Sequence, residues 1–228
     1  KEGGPLVVKE VDIPVPSKGE VLVKIAAAPV NPSDIARIKT AHLEYDPETF
    51  IPGIEGSGIV VKAGSGILPR LWLGKRVACS SEHPYSGTWA EYMVTSAAKC
   101  FPLSDKVSDE QGSMSLVNPL TALAFFDMVE EQRHRALINN AAASSLGRMI
   151  ELLGERKRIP VINIVRKQAQ ADALKSSGSK HVLVSSGRDF SAQLGALASE
   201  LKASILFDSV GGRQFSDLLS VLPYGSKV

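Results

Sequence analysis

Ala136-Leu137-Ile138-Asn139, running into Asn140-Ala141-Ala142-Ala143-Ser144-Ser145-Leu146-Gly147, is the stretch on which the fold turns. Its first four residues read as a short strand, and Leu146 to Leu153 as the helix that follows. The segment between them occupies the place of a G-x-G-x-x-G turn, with only Gly147 kept as glycine. Such a turn needs small side chains, so that backbone N–H groups at a helix N-terminus can approach a pyrophosphate. Ala141, Ala143, Ser144 and Ser145 supply small volume, and the serine hydroxyls can donate to phosphate. Gly147, beside Leu146, lets the helix pack close to the strand. The same residues also read as an ordinary small-residue βα turn.

Outward from this turn, strands and helices alternate. Pro160 to Val165, His181 to Val184 and Ser204 to Asp208 read as strands, and Ser226-Lys227-Val228 as the start of another. Ala169 to Ser176, Phe190 to Leu201 and Phe215 to Leu222 read as helices. This spacing argues for βαβ units and a parallel sheet. Upstream, Ser108 to Phe126 is helical, with Ser108 as N-cap, Gln111 three residues on, and a break at Asn118-Pro119. A site selective for NAD places Asp or Glu about 20 residues after the glycine motif, to hold the ribose 2′-hydroxyl. Here Arg166 stands 19 residues after Gly147, and Lys167 follows. Two cations in that place point to NADP(H), with charge-assisted bonds of about 1.5–3 kcal/mol favouring NADPH over NADH about 10- to 100-fold. A solvated basic turn at a strand end is the alternative.

The first half reads differently. From Pro5 to about Leu103, short β-rich runs alternate with glycine and proline: Leu6-Val7-Val8, Val21 to Ile25, Gly58 to Lys62 and Lys75 to Ala78. Val21, Val23 and Ile25 alternate with Leu22 and Lys24, which predicts a strand with one buried face. A β-barrel or strongly bent sheet is expected here. The chain thus divides into a β-rich domain at residues 1–117 and an α/β domain at residues 118–228.

The bulk numbers set outer bounds. With 44% apolar and 22% charged residues, the 228-residue chain lies in the globular range and not the disordered one. Its net charge of +2 leaves no electrostatic footprint for nucleic acid. No stretch approaches the roughly 18 consecutive apolar residues of a membrane span. Cys79 and Cys100 are too few for a disulfide framework or a four-cysteine zinc site. The opening Lys-Glu-Gly-Gly carries no apolar signal core, so a cytoplasmic location is expected; an organellar one, after removal of a targeting segment, stays open.

Six motifs in register resemble the medium-chain dehydrogenase/reductase superfamily, in its zinc-independent, quinone-oxidoreductase-like branch. They are Val30-Asn31-Pro32-Ser33-Asp34-Ile35, Pro52 to Val60, Gly74-Lys75-Arg76-Val77-Ala78, Gly87-Thr88-Trp89-Ala90-Glu91-Tyr92, Asn118-Pro119-Leu120-Thr121-Ala122 and Phe207 to Gly212. The resemblance implies a GroES-like β-barrel domain followed by a Rossmann domain, with the active site in the cleft between them. It also implies about another hundred residues beyond Val228, and a homodimer for the full-length protein. On this reading the Rossmann part is incomplete and stops at its fifth strand.

Zinc-dependent relatives need a cysteine near Asn31-Pro32 and a histidine before Glu55. Neither is present, since Ile54 stands in the histidine's place, so no metal is expected. Cys79 and Cys100 read as buried small hydrophobes. Without a metal, the chemistry implied is hydride transfer from NADPH to a quinone or an α,β-unsaturated carbonyl substrate. By resemblance, Asn31 and Asp34 line the cleft, Asn118 and Thr121 approach the cofactor, and Asp208, Ser209 and Val210 belong to its site. Asn-Pro-Ser-Asp is also a good helix start. Glu55 reads as structural, a carboxylate accepting N–H bonds in a glycine-rich turn. Tyr45, in the loop after Asn31-Pro32, is the candidate donor to a substrate oxygen, or else a surface tyrosine. A 2-enoyl-thioester reductase and a cofactor-binding protein without turnover are the alternatives.

Overall fold

The computed structural model describes residues 6–44 and 49–228, residues 41–44 by their backbone alone. The chain divides between Val117 and Asn118 into two compact units. In the first, five strands form one antiparallel sheet: β1 (Glu20–Ala27), β2 (Glu55–Ala63), β3 (Arg76–Ser80), β4 (Tyr92–Ser96) and β5 (Cys100–Pro102), in the order β4-β1-β2-β3-β5. Helices α1 (Pro32–Glu44), α2 (Ile67–Trp72) and α3 (Asp109–Ser113) fill the connections. Val21, Val23, Val60, Val77, Cys79, Met93, Ala97 and Cys100 make the core on the inner side of this sheet.

The register shifts twice along the β1–β2 ladder, between Leu22 and Val23 and between Ile25 and Ala27. Such bulges bend a sheet. Between them the backbones come so close that a Cβ on Gly58 would lie 2.1 Å from the Lys24 carbonyl oxygen. Leu22, expected on the open face, is only 5% exposed, so β1 is buried on both sides over its first half. The expected run Leu6-Val7-Val8 is not a strand: the three residues lie outside the sheet and are exposed. β-propensity alone does not make a strand, because the ladder needs a partner edge.

The second unit is an α/β layer structure. α4 (Val117–Glu131) leads into β6 (Ala136–Asn139), α5 (Ser145–Lys157), β7 (Val161–Val165), α6 (Gln168–Ser176), β8 (His181–Val184), α7 (Phe190–Leu201), β9 (Ala203–Phe207) and α8 (Gly212–Leu219). The strands are all parallel, in the order β8-β7-β6-β9. Apolar side chains cover both faces, as a parallel sheet requires. On one face Ala122, Phe126 and Val129 of α4 and Ile150 of α5 pack on Leu137, Val161 and Ile205. On the other, Phe190, Leu194 and Ala198 of α7 and Leu218 of α8 pack on Ile138, Ile162 and Leu206. The Phe125 and Phe207 rings stack with centroids 3.9 Å apart. Lys227 adds an isolated parallel bridge to Ile205, on the far side of β9 from β6.

The helical region after Ser108 carries the expected capping box, Ser108 Oγ accepting the Gln111 N–H at 3.2 Å and Gln111 Oε1 accepting the Ser108 N–H at 3.2 Å. It breaks at Met114 to Leu116, so that Asn118-Pro119 falls in the first turn of α4, where proline costs no hydrogen bond. α8 starts three residues before the expected Phe215, directly after Gly211 in the left-handed region.

Candidate functional site

The βα turn after β6 is built as a cradle for the start of α5. Ser144 caps the helix, its Oγ accepting the Gly147 N–H at 3.0 Å. The N–H groups of Ser145 and Leu146, first in the helix, have no intrahelical acceptor and sit at the positive end of its dipole. Gly147 is held close: a Cβ there would lie 2.6 Å from both Cα and O of Ala142 and 2.7 Å from the Ala141 carbonyl oxygen. Ala141 itself takes φ 50°, the left-handed region, at a cost of about 1–2 kcal/mol for a residue with a side chain. Ala143 is half-buried, while Ser144 and Ser145 are exposed. Small side chains around free N–H groups fit a bound pyrophosphate.

The sheet order supplies a second argument. β6 lies between β7 and β9, so the chain leaves it in one direction through α5 and returns to its other side through β9. Ligands of open α/β sheets bind outside the carboxyl ends of the strands at such a reversal. Here the carboxyl ends of β6 and β9 are tied together. Asn140 donates from Nδ2 to the Asp208 carboxylate, and its Oδ1 accepts the Ser209 N–H at 2.7 Å. Asp208 in turn accepts the N–H groups of Val210 at 3.2 Å and Gly211 at 3.0 Å. Ser209 and Val210 are exposed beside this clip.

Arg166 and Lys167 follow β7 on the same edge, both exposed. Among the described residues neither side chain has an ion-pair partner. Asn118 and Thr121, one turn apart at the start of α4, are half-buried. Beneath the turn, Asn139 Nδ2 donates to the Gly147 carbonyl and to Asn163 Oδ1, both at 3.1 Å, and Asn163 Nδ2 donates to Glu151 at 2.6 Å. Residue patterns did not single out Asn139, Asn140 or Asn163. The available signal was amides inside or at the end of strands that are otherwise wholly apolar.

In the first unit, Asn31 and Asp34 come together with Glu55 in a buried network, 6%, 1% and 1% exposed respectively. Asp34 accepts the Asn31 N–H at 2.8 Å and the Ile54 N–H at 2.9 Å, one on each carboxylate oxygen. Asn31 Nδ2 donates to Glu55 Oε1 at 2.9 Å, and Glu55 Oε2 accepts the N–H groups of Leu116 at 3.1 Å and Val117 at 2.9 Å. The carboxylates therefore pin the start of α1, the entry to β2 and the segment after α3 to one another. This is the geometry of a scaffold that fixes the Asn31 side chain. Tyr45 lies outside the described residues.

Cys79 and Cys100 are buried free thiols, paired across β3 and β5. Burial, and then the neighbouring Cys100, hold the Cys79 thiol far above its usual range; burial pushes Cys100 up to about 12. Among the described residues no three His, Cys, Asp or Glu side chains are grouped so as to hold a metal ion, and no helix is long and apolar enough to cross a membrane.

Residues 17–105 match the alcohol dehydrogenase GroES-like domain family. Over 216 residues the chain is 31% identical to the mitochondrial enoyl-[acyl-carrier-protein] reductase of Arabidopsis thaliana, covering 91% of this chain and 56% of that protein. Among solved structures, a Mesorhizobium loti protein assigned as an NADPH:quinone reductase superposes with a TM-score of 0.84 at 36% identity, covering 94% of this chain and 62% of that one. A mycobacterial protein solved in complex with NADPH superposes with a TM-score of 0.81 at 26% identity, over 97% and 68% of the two chains. The chain thus spans somewhat over half the length of the first two relatives.

Proposed function

Since the chain belongs to the medium-chain dehydrogenase/reductase superfamily, in its quinone-oxidoreductase-like branch, we propose that the whole protein is an NADPH-dependent reductase of quinones or α,β-unsaturated carbonyl compounds. The observation that carries this reading is the ligand edge of the second unit. There the small-residue turn at α5, the Asn140–Asp208 clip and two exposed cations after β7 share the carboxyl ends of one parallel sheet. The N–H groups of Ser145 and Leu146 hold the pyrophosphate, with Ala141, Ala143 and Gly147 keeping the approach open. Arg166 and Lys167 hold the ribose 2′-phosphate, where an acid would repel it. Asn118, Thr121, Ser209 and Val210 complete the cofactor site, and Asp208 fixes the backbone that carries the last two.

When bound, NADPH supplies the hydride, and the chain supplies orientation and polarisation. Asp34, both oxygens engaged by backbone N–H groups, is a positioning residue for Asn31 rather than a proton carrier. Tyr45 donates to the substrate oxygen. A second reading, reduction of a 2-enoyl thioester, is favoured by the name of the Arabidopsis relative.

The test is calorimetric titration of the chain with NADPH and NADH in parallel. NADPH is expected to bind about 10- to 100-fold more tightly, the margin vanishing in Arg166→Glu. Equal affinities in the parent chain remove Arg166 and Lys167 from the site. Oxidation of NADPH by a quinone panel, set against a 2-enoyl-CoA, separates the two substrate classes, and a Tyr45→Phe variant that keeps full activity removes Tyr45 as the donor.

A further inference from the structure

A concave site lies at the end of the parallel sheet opposite the ligand edge. It is a cavity of about 510 Å³ where β6 and β9 begin, lined by Arg133, Arg135, Lys202, Ser199 and Ser204 among others. The length of β6, about 13 Å by strand rise, separates it from the ligand edge. We propose that this cavity binds a small polyanion of the phosphate class.

Three cations line one concavity, and among the described residues none of them is ion-paired. The alternative is that they only complement helix ends, since α4 and α7 both finish here. Two helix C-termini present about half a negative charge each. That offsets one of the three cations and leaves about two positive charges facing the cavity. Of the nearby acids, Glu130 is engaged by Lys157 at 2.8 Å, and Glu131 and Glu200 do not line the cavity. Arg133 and Lys202 moreover take the left-handed region, φ 58° and 56°, where glycine or asparagine is the easier residue. The hydroxyl of Ser199 adds a donor of the kind that phosphate oxygens accept.

His134 provides a built-in reporter. Its Nδ1 lies 2.7 Å from Ser204 Oγ and its Nε2 3.2 Å from Gln132 Oε1. Burial first, and then the charge of Lys227, hold its pKa below the usual histidine value. An anion in the cavity opposes the Lys227 effect and raises that pKa.

The test is titration of the 228-residue chain with inorganic pyrophosphate, following the His134 ring signals by NMR. Pyrophosphate is expected to shift these signals and to raise the His134 midpoint. Arg135→Ala or Lys202→Ala is expected to weaken binding about ten-fold, and Arg135→Lys to retain most of it. Two results overturn the proposal: no shift of the His134 signals at tens of millimolar pyrophosphate, or a shift indifferent to Arg135→Ala and Lys202→Ala, which places the anion elsewhere, as at the Ser145 and Leu146 N–H groups. Because His134 reports on this cavity through Ser204 and the readout uses no NADPH, the outcome stands apart from the cofactor assignment.

Discussion

Replacing Gly147 by alanine tests whether the α5 turn is as tightly built as its geometry says. The added Cβ would meet Cα and O of Ala142 at 2.6 Å and the Ala141 carbonyl oxygen at 2.7 Å. The carbon contact falls about 0.9 Å short of ordinary van der Waals separation. All three atoms belong to the backbone, so no side chain can rotate away. Relief must come from moving the first turn of α5 off the strand, which strains the Ser144 cap and the Asn139 bond to the Gly147 carbonyl. Overpacking of this kind costs about 3 kcal/mol, or a fall in Tm of about 6–12 °C for a chain of this size. Because the displaced turn also carries the Ser145 and Leu146 N–H groups, NADPH affinity falls with it. Thermal melts followed by circular dichroism, together with an NADPH titration, measure both. A variant that melts within 1 °C of the parent and binds NADPH equally well refutes the close-packed turn.

Ala141→Gly should act in the opposite sense: it removes about 1–2 kcal/mol of left-handed strain against about 0.4–1 kcal/mol of added freedom in the unfolded chain, for a Tm rise of a few degrees. A lower Tm would show that the alanine methyl is needed for packing. Glu55→Ala strips the acceptor from Asn31, Leu116 and Val117 and should cost at least about 3 kcal/mol, read as a lower urea midpoint with unchanged slope. An unchanged midpoint would show that the network bears no stability. With Cys100 pushed up to about 12, only about one thiol in ten thousand is ionised at pH 8. Both cysteines should therefore resist a thiol reagent in the folded chain and react promptly in denaturant; fast labelling of the native protein would contradict their burial.

Much of the second unit was legible because its signals are local. His181–Val184 and Phe190–Leu201 emerge with their expected bounds, since each is an apolar periodic run closed by polar or glycine residues. The first unit was harder. Leu6-Val7-Val8 has strand composition, yet pairing depends on a free edge elsewhere in the chain, which no local pattern records. The burial of Leu22 on the supposed open face follows from a bend made by two bulges, not from alternation. At the candidate site, the small residues and cations could be picked out by spacing. The Asn140–Asp208 clip could not, because it joins residues 68 positions apart whose meeting depends on the sheet order. Likewise, Asp34 looks like a cleft acid in its motif, and only the fold shows both oxygens engaged by backbone N–H groups.

The strand order β8-β7-β6-β9 also sets an order in time. β6 meets β7 after a single helical crossover, but its other neighbour arrives only after β7, β8 and three helices have been made. Short loops close at lower entropic cost than long ones, so β6–β7 pairing precedes β6–β9 pairing. The clip between Asn140 and Asp208 then forms after the β6–β7 pair and opens before it. Amides at Ser209 and Gly211 should exchange with solvent sooner than that of Ile162 within β7. A molecule that bridges the two strand ends stabilises the whole unit by holding shut its weakest seam.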